Sequence, residues 1–290
     1  MNGIIVVDKP KGITSRDVVN EVSRIIGIKR VGHTGTLDPL ATGVLVLCIG
    51  KATKISDLIT NYNKEYIAEV TVGIGTDTLD IDGTVLKEVN DVDISKGQVL
   101  TVLKGFIGIY NQEVPKYSAV KVSGRKLYDY ARNNITIELP KREVEIYDLS
   151  LIGDLEDIGG KIIFKIKCSV SKGTYIRSLI RDIGLKLGYP TCMSDLRRTK
   201  QGYFTINDCY SLDNVAKGDY KLLTLDEALP NLKSISVDKD LEKNIRNGSI
   251  IEKTLDDNMI KIINPDGELI AIYQTYNKDV TKAKPYKMLI

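Results

Sequence analysis

Apolar residues recur along this chain in two rhythms, and each marks a different kind of element. Residues 3 to 8 read as a strand, and the run Val44-Leu45-Val46-Leu47-Cys48-Ile49 is short and unbroken in its apolar character, the pattern of a covered strand. Glu65 to Val72 instead alternates polar and apolar side chains, as a half-exposed strand does, and the Asp82-Gly83 turn predicts a return strand over Thr84 to Val89. Glu143 to Ile152 and Lys161 to Val170 read as long strands around the Gly159-Gly160 turn. Helical spacing begins after Thr14 or Ser15 as cap, with Val18, Val19, Val22, Ile25 and Ile26, and predicts a helix over Ser15 to Ile26. Further helices are expected from Ser95 to near Gly105 and, more briefly, after Ala52 and over Arg125 to Arg132. The clearest helix places Ile176, Leu179, Ile180, Ile183 and Leu187 on one face and Arg177, Arg181 and Asp182 on the other, with Gly188 as its stop.

After Pro230 the rhythm changes to short strands with frequent turns, among them Asn247-Gly248 and Pro265-Asp266-Gly267. The chain is therefore expected to divide into residues 1–232 and a small β-rich domain over 233–290, packed together because no low-complexity linker separates them. The fold class expected is α+β, a mixed and largely antiparallel sheet flanked by helices.

At 290 residues, 42% hydrophobic and 27% charged, the chain has the composition of a folded protein with a sizeable core. A net charge of +3 permits a nucleic-acid partner without requiring one, so local clusters must carry that argument. No stretch of eighteen apolar residues occurs and the N-terminal run is too short for a signal peptide, which predicts a cytoplasmic protein that does not enter membranes. The four cysteines are widely spaced and form no Cys-x-x-Cys pair. His33 is the single histidine, which excludes any site built from two imidazoles and leaves metal and triad hydrolase chemistry weakly supported. Asp80-Ile81-Asp82-Gly83 imitates the middle of a calcium loop, but Thr78 and Val89 stand where its end ligands belong. Gly50-Lys51-Ala52 lacks both the first glycine and the hydroxyl of a phosphate-binding loop.

Four segments carry candidate chemistry. In Gly32-His33-Thr34-Gly35-Thr36-Leu37-Asp38-Pro39-Leu40-Ala41-Thr42-Gly43, a glycine-punctuated loop delivers one carboxylate, Asp38, just ahead of a buried strand, and Pro39 stiffens the backbone after it. An Asp-Pro step alone is most often an ordinary turn, so the neighbouring segments decide. Tyr66 opens the alternating strand at Lys64-Glu65-Tyr66, where an aromatic is more often core than site. Pro115 to Arg132 interleaves cations, Lys121 among them, with Tyr117, Tyr128 and Tyr130, a pattern that suits looped RNA and equally a wet surface. Ser171-Lys172-Gly173-Thr174-Tyr175-Ile176-Arg177 leads into the strong helix and puts an arginine in its first turn, against the helix dipole. That arginine wants an anion: Asp38, a phosphate or solvent.

In this order the segments resemble the TruB family of tRNA pseudouridine synthases, from Gly3-Ile4-Ile5-Val6-Val7-Asp8-Lys9-Pro10-Lys11-Gly12 through Leu196-Arg197-Arg198-Thr199-Lys200-Gln201-Gly202-Tyr203-Phe204. The later part, with Ile245-Arg246-Asn247-Gly248, looks more loosely like a PUA-type RNA-binding domain. The resemblance implies a pseudouridine synthase fold, Asp38 as the catalytic aspartate, Tyr66 stacked on the target uracil and Arg177 paired with the aspartate. It also implies that His33, Asp80, Tyr175 and Leu196 line the pocket or replace the displaced base. The family usually has two prolines before the Tyr117 segment, whereas here Val114 precedes Pro115.

The implied reaction turns a uridine in the T loop of tRNA (position 55 of the RNA) into pseudouridine. It gains and loses no electrons or groups, so no cofactor is expected. A carboxylate can serve as nucleophile at C1′ or as base at C2′. His33 is placed to fill the vacancy left by an everted base, while Lys29, Arg30, Lys121, Arg125, Lys126, Arg197 and Arg198 are candidate phosphate contacts, which predicts binding that weakens with salt. The expected partner is the T arm of tRNA, bound by a monomer without guide RNA. Two alternatives remain at this stage: an RNA-binding or RNA-folding module without chemistry, and a guide-RNA-dependent synthase.

Overall fold

The computed structural model describes residues 1–133 and 135–290. In chain order the first elements are β1 (Gly3–Lys9), α1 (Ser15–Ile26), β2 (Val31–His33), β3 (Thr42–Ile49), α2 (Ser56–Thr60) and β4 (Lys64–Val72). A hairpin of β5 (Ile74–Thr76) and β6 (Val85–Glu88) follows, then α3 (Lys96–Lys104), β7 (Gly108–Glu113), a hairpin of β8 (Lys121–Val122) and β9 (Arg125–Lys126), and α4 (Leu127–Arg132). Next come β10 (Lys141–Ile158), β11 (Lys161–Val170), α5 (Ile176–Leu187), β12 (Thr191–Gln201), β13 (Phe204–Thr205) and α6 (Leu212–Ala216). The C-terminal elements are β14 (Lys233–Ser236), α7 (Lys239–Arg246), β15 (Ile251–Glu252), β16 (Met259–Ile263), β17 (Leu269–Tyr276) and β18 (Asp279–Met288).

The large sheet runs β1-β3-β12-β4-β11-β10-β7, with β2 and β13 at its margins. It is mixed but largely antiparallel, since β3 and β12 form its one parallel pairing among the described residues. The C-terminal sheet runs β14-β16-β17-β18-β15 and is β-rich as the turn pattern predicts, consistent with a PUA-like fold.

The continuous apolar run of β3 is explained by cover on both faces. Leu45, Leu47 and Ile49 pack with Val18, Val19 and Val22 of α1, while Val44, Val46 and Cys48 lie in a core shared with Ile59, Leu229, Ile272 and Leu289. Ile272 and Leu289 belong to the C-terminal part, so the two sheets share apolar cover. Polar contacts reinforce the junction: Lys54 Nζ donates to Met288 O at 2.6 Å and Tyr286 Oη to Asp57 Oδ2 at 2.7 Å.

The capping chemistry behaves as read. Thr14 caps α1 with a reciprocal bond from Asp17, Ser95 caps α3 through Gln98, and Gly188 ends α5 in the left-handed region. Two expectations change. Thr84 to Val89 does not return onto the Glu65–Val72 strand, because β4 is central and both its edges are taken by β11 and β12. At Gly73, with φ +104°, the chain bends away and β6 pairs with β5 instead. The Glu143–Ile152 strand extends to Ile158, past a register shift after Ile152.

Candidate active site

The Asp38 loop leaves β2 and enters β3 under unusually dense restraint. Leu37, Leu40 and Ala41 are buried on either side of the acid, and Ser15 Oγ both accepts from the Leu37 N–H (2.8 Å) and donates to its carbonyl (3.1 Å). Lys9, wholly buried, donates to the carbonyls of Pro10 (2.8 Å), Pro39 (3.3 Å) and Ala41 (2.7 Å). Arg198, also buried, donates through Nη2 to Gly35 O (3.0 Å) and through Nε to Val44 O (2.6 Å). Two cations therefore knit the loop from behind by binding backbone carbonyls, and the Asp38 carboxylate projects forward, about a third of it exposed. Gly43 permits this closeness: its φ is +100°, and a Cβ there would stand 2.2 Å from Arg198 O.

Opposite the loop, α5 begins at Ile176 and its first turn is held by Gln112 of β7. Gln112 Oε1 accepts from the Tyr175 N–H (2.8 Å) and Nε2 donates to Tyr175 O (3.0 Å), while Ser178 Oγ donates to Glu113 O (2.8 Å). This anchoring aims Arg177 inward. Although its place on the polar face of α5 suggests a solvated side chain, Arg177 is only 6% exposed.

Its guanidinium faces Asp38 with two nitrogens, Nε to Oδ2 at 2.9 Å and Nη2 to Oδ1 at 3.2 Å, a fork on a carboxylate. The remaining donors reach Thr78 O (Nη1, 2.8 Å) and Tyr117 O (Nη2, 3.1 Å), and Asp80 Oδ2 lies 3.8 Å from Nη1. Of the anions the sequence left open for this arginine, the fold supplies Asp38. Burial pushes the Asp80 carboxyl above its ordinary range, opposed by the bond from Thr78 Oγ1 (2.6 Å) and by the charge on Arg177.

Tyr66 lies in β4 between Cys168 of β11 and Arg198 of β12. It is 7% exposed, and burial pushes its phenol up against the pull of Arg198. A cleft of about 550 Å³ opens over these groups, with Asp38, Tyr66, Asp80, Tyr175, Arg177 and Leu196 on its wall. That is room for a nucleoside, with a carboxylate, a guanidinium and aromatic rings converging on it.

His33 and Lys121 stand outside this wall. His33 ends β2, its Nδ1 accepting from the Gly35 N–H at 3.4 Å, and burial lowers its pKa, favouring the neutral ring. Lys121 is exposed on the β8–β9 hairpin. Arg198 is removed from the phosphate candidates, because a side chain 1% exposed and spent on carbonyls cannot meet a phosphate. Arg197 is held by Asp8 at 2.7 and 3.1 Å. Sequence reasoning missed Lys9 as a loop tie, although it follows Ile5 and Val7 on one face of β1 and the period of two points it inward. It also missed Gln112 and the Thr78 and Tyr117 carbonyls; backbone acceptors leave no mark on composition. Lys64 was unnoticed too: it lines the cleft, donates to Thr60 O and Tyr62 O at 2.6 Å each, and burial lowers its pKa to about 8.

Among the described residues no cluster of His, Cys, Asp and Glu is arranged to hold a metal, and no helix is long and apolar enough to cross a membrane.

Comparison with known proteins shows the family. Residues 23–176 match the N-terminal domain of the TruB family pseudouridylate synthases, and residues 177–232 match the tRNA pseudouridylate synthase B C-terminal domain. Proteins named tRNA pseudouridine synthase B are similar along nearly their whole length. The one from Shouchella clausii is 43% identical over 98% of this chain and 96% of its own, and the one from Geobacillus thermodenitrificans is 39% identical over 99% of each. The fold resembles that in a Cbf5-Nop10-Gar1 complex, with a TM-score of 0.71 and 24% identity over 99% of this chain and 85% of that one. With matched domains spanning 23–232 and relatives this close over the full length, the chain belongs to the TruB family of pseudouridylate synthases.

Proposed function

We propose that the protein isomerises a uridine of the tRNA T loop, position 55 of the RNA, to pseudouridine, with Asp38 acting on the ribose. It is a tRNA pseudouridine synthase by family, and the observation that carries the finer reading is the Asp38 carboxylate forked by Arg177 at the floor of a cleft beside Tyr66. The reaction breaks the N1–C1′ bond and forms a C5–C1′ bond; C5 loses a proton and N1 gains one, so composition is unchanged.

Each residue has a part that follows from its surroundings. Asp38 attacks C1′ or takes the C2′ proton, and either route needs the acid fixed beside the sugar, which the Lys9, Ser15 and Arg198 ties provide. Arg177 directs the carboxylate oxygens and supplies the adjacent positive charge. Tyr66 offers a rigid face to the uracil while it turns, and its hydroxyl relays the proton leaving C5, giving up its own hydrogen toward N1 as it takes that proton up. Tyr175, Leu196 and Asp80 close the pocket around the base, His33 enters the vacated stack, and Lys121 meets phosphate. Extracting the base from its stack costs about a few kcal/mol, repaid by these contacts. The enzyme works in the cytoplasm as a monomer, with no cofactor and no guide RNA, through a catalytic domain over 1–232 and an RNA-binding domain over 233–290.

Asp38→Asn tests the reading. The variant is expected to bind a T-arm transcript normally and to release no tritium from 5-tritiated uridine within it. Full activity would defeat the assignment of Asp38, and activity only in the presence of an added guide RNA would defeat the stand-alone reading.

A further inference from the structure

A second cavity, of about 620 Å³, stands beside the catalytic cleft and has no part in the chemistry above. The two share a wall. From the segment joining α2 to β4, Thr60 and Lys64 face the catalytic cleft, whereas Asn61, Tyr62, Asn63 and Glu65 face the second cavity. Tyr203 stands on the tight turn between β12 and β13 and is 55% exposed.

That exposure is built in. Tyr203 meets Tyr62 edge to face, at 5.5 Å between ring centroids and 88° between planes, which fixes its orientation without covering it. Tyr62 is itself held, its one hydroxyl hydrogen shared between Ala228 O (3.2 Å) and Asn231 Oδ1 (3.1 Å). The turn is drawn in by the Gly202 N–H to Asn63 O bond (2.8 Å), and Gly202, at φ +58°, leaves no room for a side chain: a Cβ would lie 2.3 Å from the Tyr62 ring. Around the rings stand the amides of Asn61, Asn63 and Asn231, whose NH2 groups can donate at a base edge. The charged side chains of the lining, Glu65 and Lys200, are of opposite sign. Lys172 bonds Asn61 Oδ1 at 2.8 Å, and the Glu65 carboxylate is balanced by Lys200 (3.4 Å) and Lys167 (3.8 Å).

We infer that this cavity is a second nucleotide site, in which Tyr203 stacks on an unpaired base of the same RNA whose uridine occupies the catalytic cleft. A presented ring with donor amides beside it is what a base outside its stack requires. The inference rests on RNA being the substrate.

The test measures affinity and rate separately on a T-arm stem–loop RNA. Tyr203→Ala is expected to weaken binding about tenfold, while single-turnover conversion at saturating enzyme stays at the wild-type rate and Tyr203→Phe binds as wild type. Unpaired nucleotides other than the target are then made abasic one at a time. At one position the wild-type protein should fall to the affinity of Tyr203→Ala, and the variant should lose nothing more. Wild-type affinity in Tyr203→Ala, or a loss that no single abasic position erases, overturns the inference. Failure of the activity reading would show separately, as an absence of pseudouridine from the wild-type reaction whatever the binding results.

Discussion

Replacing Arg177 tests how far the site depends on a planar fork and how far on charge alone. Its guanidinium makes two contacts with Asp38 and one each with Thr78 O and Tyr117 O, from a position 6% exposed. Arg177→Met removes all four. Breaking a buried pair from one side costs about 3–5 kcal/mol, but the Asp38 side chain is 34% exposed and can recover water, so the loss should sit at the low end, about 3 kcal/mol. Arg177→Lys keeps one charge and cannot reproduce the fork. It leaves at least one buried carbonyl without a donor, at about 1–3 kcal/mol. The kinetic effect should exceed the stability effect, because a carboxylate free to swing about 1 Å loses about 100-fold in rate. Urea unfolding supplies the first quantity and single-turnover tritium release from T-arm RNA the second. For the Met variant, a folded protein slowed by about 100-fold or more is expected, and for the Lys variant partial rescue of stability with little rescue of rate. An Arg177→Met protein that turns over at the wild-type rate would refute the assigned role of the pair, and a Lys variant as fast as wild type would refute the need for the fork.

Three other outcomes follow from the same contacts. Tyr66→Phe keeps the stacking face and loses the hydroxyl, so RNA affinity should hold while the single-turnover rate falls by about 100-fold or more; an unchanged rate removes the hydroxyl from the proton path. Burial lowers the pKa of Lys9 from 10.5 to about 8, so between those values the unfolded chain binds more protons than the native one and this contribution to stability improves as pH rises. Denaturation at pH 7.5 and 9.5 should therefore show a smaller gain for Lys9→Met than for wild type, and equal gains would place that proton elsewhere. Gly43→Ala should cost at least about 2 kcal/mol through its positive φ and the collision with Arg198 O, lowering Tm together with activity. A Gly43→Ala protein as stable as wild type would show that the loop has slack the packing does not suggest.

How much of this was legible beforehand can be traced residue by residue. The strand over Val44 to Ile49, the helix after Thr14, the helix ending at Gly188 and the shift to short strands near residue 233 are written in local periodicity and in caps, which neighbouring residues impose on one another. The Asp38 loop was visible for the same reason, since its glycines and proline restrict the backbone wherever they occur. Resemblance to a family added roles for Asp38, Tyr66 and Arg177 that spacing alone left open.

Other features depended on where the sheet brings distant strands. Arg177 and Asp38 are 139 residues apart, and nothing in either segment decides between a carboxylate, a phosphate and water as the partner. The parallel seam of β3 and β12 carries Arg198 behind the loop, turning a residue that looked free to meet phosphate into a buried tie. Thr78 and Tyr117 act through carbonyls that every residue possesses, so only their positions distinguish them. Sequence by itself determined most of the elements and the restrained loop that carries Asp38, because those follow from steric and hydrophobic rules acting over a few residues. Tertiary structure decided what each charge faces, because the electrostatic partner of a buried group is set by which strands lie side by side.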